Sequence, residues 1–200
     1  MGMPCKQLPY FENLLDWNTP DLMVLEIGSD RGEGSTSDLY AIASSHNIQV
    51  TTVDVDDWSN RHSNNLCINY EIYRSGSAWC AEVLPTLNKK IKILYLDNFD
   101  WTWNEAEPNE MIVKQQADYR TRGVIMNNFN CVQEHLMQTM YCLPYMDNNC
   151  LIICDDTWKC PTLGIYIGKC GPAVHYLVQQ GFIILYSDNC GVILGRNLLH

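Results

Sequence analysis

Residues 22–37, LMVLEIGSDRGEGSTS, constrain this chain more than any other stretch. Leu22, Met23, Val24, Leu25 and Ile27 form an apolar run too short for a helix, and it ends in Gly28, Gly32 and Gly34. A buried parallel strand turning tightly into a helix reads this way. Ser35, Thr36, Ser37 and Asp38 follow with side-chain oxygens expected to cap the first helical N–H groups. Glycines without a Cβ also let a ligand approach the backbone. A second strand over 50–55 carries Asp54 at a distance that suits an acid taking a ribose hydroxyl in a nucleotide-binding βαβ unit. A βα turn in which the glycines serve geometry alone is the competing reading.

The chain continues in the same alternation. A third strand is expected over 67–73, then a helix with Ala78, Val83, Leu84 and Leu87 on its apolar side, then a fourth strand over 91–96 ending on Asp97. A fifth strand over 150–154 ends on Asp155 and Asp156. The long insert between them, residues 98–149, is expected to fold over the site at its front, since loops of that length in compact domains are usually functional. Its rear resolves into a helix over 130–143, with Asn130 and Gln133 as a capping pair and Val132, Leu136, Met140 and Leu143 as the apolar stripe. Residues 158–169 read as loop. Gly171 and Pro172 open a last helix, and strands over 182–186 and 192–194 form a closing hairpin. The expected fold class is α/β: a doubly wound, mostly parallel seven-stranded Rossmann-like sheet with an antiparallel C-terminal hairpin. One domain over 1–200 is expected, residues 1–20 forming an N-terminal cover.

Composition narrows the partners. A formal net charge of −10, with only thirteen Lys and Arg among 200 residues, argues against a phosphate-tracking nucleic-acid surface. No apolar stretch approaches membrane-spanning length. The ten cysteines make no C-x-x-C pair, and no signal segment precedes the first strand, so reduced thiols and a cytoplasmic location are expected.

The spacing Glu26-x-Gly28-x-x-x-Gly32-x-Gly34-Ser35 resembles motif I of the class I S-adenosylmethionine-dependent methyltransferases, and the reversed last strand resembles that family too. The resemblance implies S-adenosyl-L-methionine as cofactor. It makes Glu26, Gly28, Ser29, Gly32 and Ser35 the methionine-side loop, Asp54 the ribose acid with Val55 beside it, and Gly76 and Ser77 the adenine neighbourhood. Trp58 would stack on the ring or simply pack, and Asp97 would close the site from the fourth strand. Asp97, Asp155 and Asp156 are also similar to the metal ligands of metal-dependent O-methyltransferases of the catechol, caffeoyl-coenzyme A and macrolide-sugar types. A divalent cation, Mg²⁺ by its preference for hard oxygen ligands, is therefore expected among them. The alternative is that Asp155 and Asp156 cap a turn while Asp97 pairs with Lys169 or Arg122. The lysine base of the catechol type is replaced here by Asp100, which leaves Asp100, His135 and His175 as base candidates. Trp101, Trp103 and Trp158 would stack against the acceptor. The implied activity is O-methylation of a small hydroxylated acceptor, with neither nucleic acid nor membrane as partner and with a homodimer compatible. The alternatives are a binding module without turnover and a nicotinamide-dependent oxidoreductase.

Overall fold

A computed structural model describes residues 4–29, 34–56, 68–98 and 101–198. The first strand, β1 (Leu22–Ile27), is buried at every position, as a central parallel strand must be. The helix α1 (Leu8–Phe11) and its flanking 3₁₀ turns precede it. After β1 come α2 (Ser35–Ser45), β2 (Val50–Asp54), β3 (Ile68–Ile72), α3 (Gly76–Glu82) and β4 (Lys90–Leu96). The insert holds α4 (Glu110–Thr121) and α5 (Asn128–Cys142). Then follow β5 (Met146–Asp155), a short pair β6 (Thr157–Lys159) and β7 (Tyr166–Gly168), α6 (Gly171–Gln179), β8 (Ile183–Ser187) and β9 (Gly191–Arg196).

The main sheet has the order β3-β2-β1-β4-β5-β9-β8. β1, β2, β3, β4 and β5 pair in parallel, and β9 runs antiparallel to both β5 and β8. The closing turn at residues 188–191 pointed to an antiparallel last strand; β9 is that strand, and it lies between β5 and β8. Strand order reverses between β1 and β4, and in open α/β sheets the crevice outside that reversal is where ligands bind.

Each sheet face buries its own layer. Met23, Leu25, Ile27, Leu94, Leu96 and Ile152 pack with Trp79, Cys142, Val174 and Leu177 of α3, α5 and α6. Val24, Val50, Ile93, Tyr95 and Ile153 pack with Leu39, Ile42 and Ala43 of α2 and with Leu8 and Leu15. The N-terminal segment therefore covers a sheet face. Full burial of a large apolar side chain such as Trp79 contributes roughly 2–3 kcal/mol, so these layers supply most of the cohesion. The eight described cysteines whose state is defined are free thiols.

Below the sheet, at the opposite end from the crevice, Lys92 is fully buried. Its ammonium pairs with Asp147 and donates to the Asn149 carbonyl at 2.6 Å. Ile91 pairs with Met146 but Ile93 with Leu151, so residues 147–150 bulge around the Lys92 head. Asn149 in turn donates to the Leu14 carbonyl at 3.0 Å and accepts from the Asp16 N–H at 2.6 Å, which ties the N-terminal cover to β5.

Four expectations need correcting. α2 starts at Gly34, whose φ is 58°, with no side-chain cap; the Thr36 hydroxyl turns inward to Glu26 instead. The front of the insert is not without structure: Asn109 accepts from the Ile112 N–H and starts α4. α5 begins one turn earlier than expected, capped by Asn127 accepting from the Asn130 N–H at 2.7 Å. Its buried face is Cys131, His135, Gln138, Thr139 and Cys142, whereas Met140 is 48% exposed. Residues 158–169, read as loop, hold the β6–β7 hairpin. Among the described residues no helix is long and apolar enough to cross a membrane.

Candidate functional site

The crevice is built from strand ends. Gly28 leaves β1 with φ 88°, and a Cβ there would lie 2.1 Å from the Asp97 carbonyl oxygen, so this glycine lets the ends of β1 and β4 close on each other. The Gly28 N–H donates to the Val53 carbonyl and the Asp97 N–H to the Ile27 carbonyl, both at 2.9 Å, which brings β2, β1 and β4 to one rim.

Glu26 lies fully buried just before that turn. One oxygen accepts from the Thr36 hydroxyl at 2.7 Å; the other has no partner at hydrogen-bonding geometry, although Ser35 and Thr52 lie close. Burial pushes the carboxyl up to about 7 despite the neighbouring hydroxyls. Asp54, at the end of β2, accepts from the Ser29 N–H at 2.9 Å and the Ser29 hydroxyl at 3.0 Å through one oxygen, and from the Asp56 N–H at 3.0 Å through the other. A carboxylate offers about four acceptor positions; three are taken, so among the described residues one is left for a ligand hydroxyl. Beside Asp54 opens a cleft of about 370 Å³ lined by Val55, Ile72, Tyr73, Arg74 and Arg122. That is within the ~300–1,000 Å³ range of small-ligand sites. Arg122, just past the end of α4, pairs with Asp56 at 2.7 Å, so the insert reaches across this cleft to the end of β2. For the adenosyl and amino-acid parts of S-adenosylmethionine, the group the resemblance implies, these residues fit: a hydroxyl-accepting acid, a cleft walled by Val55, Ile72 and Tyr73 with two arginines, and a glycine turn share one rim.

Gly76 and Ser77, expected beside adenine, both make contacts within the fold. A Cβ on Gly76 would meet the Ile27 and Gln138 side chains at 2.3 and 2.6 Å, so Gly76 answers to α5 packing. Ser77 donates its hydroxyl to Glu134 at 2.9 Å and its N–H to the same carboxylate at 3.2 Å. Gly32, Trp58 and Asp100 lie outside the described residues.

The acids at the ends of β4 and β5 converge as expected, but a side chain already lies between them. The Lys169 ammonium is 2.6 Å from Asp97 and 3.0 Å from Asp156, and Lys169 is 2% exposed. Burial alone would lower its pKa; the charges of Asp97 and Asp156 outweigh that and hold it well above the usual lysine range. Burial raises the Asp97 carboxyl, against the pull of Lys169 and with the push of Asp155 and Asp156. Asp155 accepts from the Tyr95 hydroxyl at 2.7 Å. Among the described residues no group of three acids, histidines or cysteines has an arrangement that could hold a metal ion. The expectation of Mg²⁺ bound by Asp97, Asp155 and Asp156 therefore does not fit these residues. The ion pair weighed against it, Asp97 with Lys169, is what forms, while Arg122 goes to Asp56.

The β6–β7 hairpin delivers Lys169. Gly168 has φ 94°, and a Cβ on it would sit 2.2 Å from the Asp156 carbonyl, so only glycine fits there. The Lys169 N–H then donates to that carbonyl at 2.9 Å. Trp158 on β6 stacks on Trp103 at 4.8 Å and meets Trp101 edge-on at 5.9 Å, forming an aromatic wall next to the acids. Trp103 is 75% exposed, free on one side for a flat ligand.

His135, a candidate base, is buried and hydrogen-bonded at both ring nitrogens. Its Nδ1 donates to the Cys131 carbonyl at 2.7 Å, its Nε2 accepts the Asn98 N–H at 3.0 Å, and burial lowers its pKa to about 3. His175 is on the exposed side of α6, where its Nε2 accepts the Tyr166 N–H at 3.3 Å.

No family model and no curated protein matches the chain. Solved structures match it in fold. The MycE methyltransferase of the mycinamycin biosynthetic pathway, in complex with Mg, SAH and mycinamycin VI, is 15% identical, over 95% of this chain and 49% of its own, with TM-score 0.54. OxaC in complex with sinefungin and meleagrin is 13% identical, over 100% of this chain and 48% of its own, with TM-score 0.50. A putative rRNA-methylase from Clostridium thermocellum is 10% identical, over 100% of this chain and 98% of its own, with TM-score 0.53. The chain thus spans about half the length of the first two. At such identities the likeness establishes a methyltransferase fold and leaves the activity to the residues.

Proposed function

We propose that this chain is an S-adenosylmethionine-dependent methyltransferase that methylates a hydroxyl of a small acceptor with a flat or sugar-like face. The observation that carries the reading is the shared rim at the strand-order reversal: the Gly28 turn, the open acceptor position of Asp54 and the adjoining cleft lie on one side, the acids and the tryptophans on the other. When bound, the cofactor supplies an electrophilic methyl on a sulfonium.

The residues themselves would bind and orient. Asp54, Ser29 and Val55 would take the ribose end; Glu26 and Gly28, with Gly32 and Ser35, would shape the turn that receives the amino-acid end; Trp58 would cover the base. Trp103 and Trp158 would hold the acceptor face, and holding two reactants in register is itself worth much of the barrier. Asp97 and Asp156 would present carboxylate oxygens toward the acceptor hydroxyl, with Asp100 the remaining candidate for its proton. The net negative charge supports a small acceptor over nucleic acid.

Titration calorimetry with S-adenosylhomocysteine and, separately, NAD tests the cofactor. Micromolar binding of the first and none of the second is expected. Binding of NAD alone, or of neither, would reject the reading. Transfer of labelled methyl to a panel of sugars and phenols would then separate turnover from a module that binds without reacting.

A further inference from the structure

The acid rim of this chain carries its own cation. Asp97 closes β4, Asp155 closes β5 and Asp156 follows it, three carboxylates on adjacent strand ends that would repel one another unless something positive lay among them. Lys169 lies there, with its ammonium 2.6 Å from Asp97 and 3.0 Å from Asp156. A flexible surface lysine could swing aside, but this one cannot do so cheaply. Its side chain is almost wholly buried, and its own N–H is fixed to the Asp156 carbonyl. The preceding Gly168 adopts a φ that other residues rarely take, in contact with that same carbonyl. The hairpin therefore holds the ammonium in place through the backbone as well as the charge. Moving it out would leave Asp97 at a largely buried position without its counter-charge, which is far costlier than keeping the pair.

We infer that Lys169 is a resident counter-cation occupying the position where a divalent ion would sit among these acids, and that it excludes such an ion from the site. Lys169 is a positioning residue. It neutralises Asp97 and Asp156 and sets the orientation in which their remaining oxygens face the crevice. Resting on the methyltransferase reading above, the consequence is that methyl transfer proceeds without added metal and survives chelation.

The test reads metal uptake rather than turnover, so it stands apart from whether the chain binds S-adenosylhomocysteine. Free Mn²⁺ is followed by its electron paramagnetic resonance signal during titration with the wild-type chain, Lys169→Met and Asp156→Asn. Lys169→Met keeps the packing of the stem and removes the charge. The wild type is expected to leave the Mn²⁺ signal undiminished, and Lys169→Met to bind Mn²⁺ roughly tenfold more tightly or better, as acids deprived of a counter-charge would. Stoichiometric uptake by the wild type that is lost in Asp156→Asn would overturn the inference. So would a folded Lys169→Met that takes up no Mn²⁺. Should Lys169→Met not fold, the wild type and Asp156→Asn decide alone: no uptake by either supports the inference, and uptake abolished by the substitution refutes it.

Discussion

His135 Nε2 accepts the backbone N–H of Asn98 at 3.0 Å, so the first residue past the end-of-strand acid Asp97 is hydrogen-bonded to the buried face of α5. With Nδ1 donating to the Cys131 carbonyl, the ring is a neutral bridge whose tautomer is set by its two partners. Replacing it by Leu would leave the Asn98 N–H and the Cys131 carbonyl to find other partners inside the fold. Stability should fall by about 2–4 kcal/mol, as expected for a buried donor and acceptor left unpaired. Urea unfolding measures it. The pH–rate profile of the wild type should show no limb from this histidine between pH 5 and 8, because burial holds its pKa to about 3. A folded His135→Gln with a displaced midpoint in that window would contradict the assignment.

Glu26 makes stability depend on pH. Its folded value, pushed up to about 7 from 4.5, means the folded chain holds this proton after the unfolded chain has released it. The associated stabilisation is complete below about pH 4.5 and is lost as pH rises through about 7, amounting to roughly 3 kcal/mol on full ionisation. Glu26→Gln should flatten this part of the profile in denaturant unfolding measured across that range. A variant with the wild-type slope would show that the carboxyl ionises as freely in the folded chain as in the unfolded one.

Gly28→Ala should be poorly tolerated. The added methyl would meet the Asp97 carbonyl at 2.1 Å, and the backbone φ of 88° is one that side chains resist. The two effects together should cost on the order of 3 kcal/mol or more. Thermal unfolding followed by circular dichroism would reveal it, and an unchanged midpoint would mean that β1 and β4 part more easily at their ends than they pack.

Asp54→Asn tests the ribose position. The substitution keeps one acceptor for Ser29 but removes the charge and the open acceptor site, so S-adenosylhomocysteine should bind roughly 10- to 100-fold more weakly, a loss of about 1.5–3 kcal/mol typical of a hydrogen bond to a charged group. Calorimetry checks it against an unfolding curve for the same variant. Equal affinity would move the sugar elsewhere.

The sheet was legible because its central strands are nearly continuous apolar runs, and the antiparallel direction of β9 followed from the turn at residues 188–191, which does not by itself place that strand between β5 and β8. The site was legible only in part. Strand ends announce Asp54, Asp97 and Asp155, since the acid follows the apolar run directly. Lys169 was weighed from the sequence as a partner of Asp97, but its reach to Asp156 as well was not legible, because the hairpin that carries it has two three-residue strands, too short to impose a period. α5 misled for a related reason. Its inward face is made of polar side chains that bond inside the fold, such as His135 and Thr139, and a count of apolar positions cannot see them. The signals for α4 were present, Asn109 before it and Gly123 after it, but its sequence is polar enough to read as loop.

The interior position of β9 also governs how the molecule can be made. β5 cannot gain its second neighbour until residues 191–196 have been synthesised, although its first neighbour, β4, is complete about a hundred residues before them. A nascent chain leaving the ribosome therefore carries an open edge at β5 until residues 191–196 have emerged. That edge, flanked by the buried run Leu151 to Cys154, is where a chaperone would find its grip and where premature termination would be punished by aggregation.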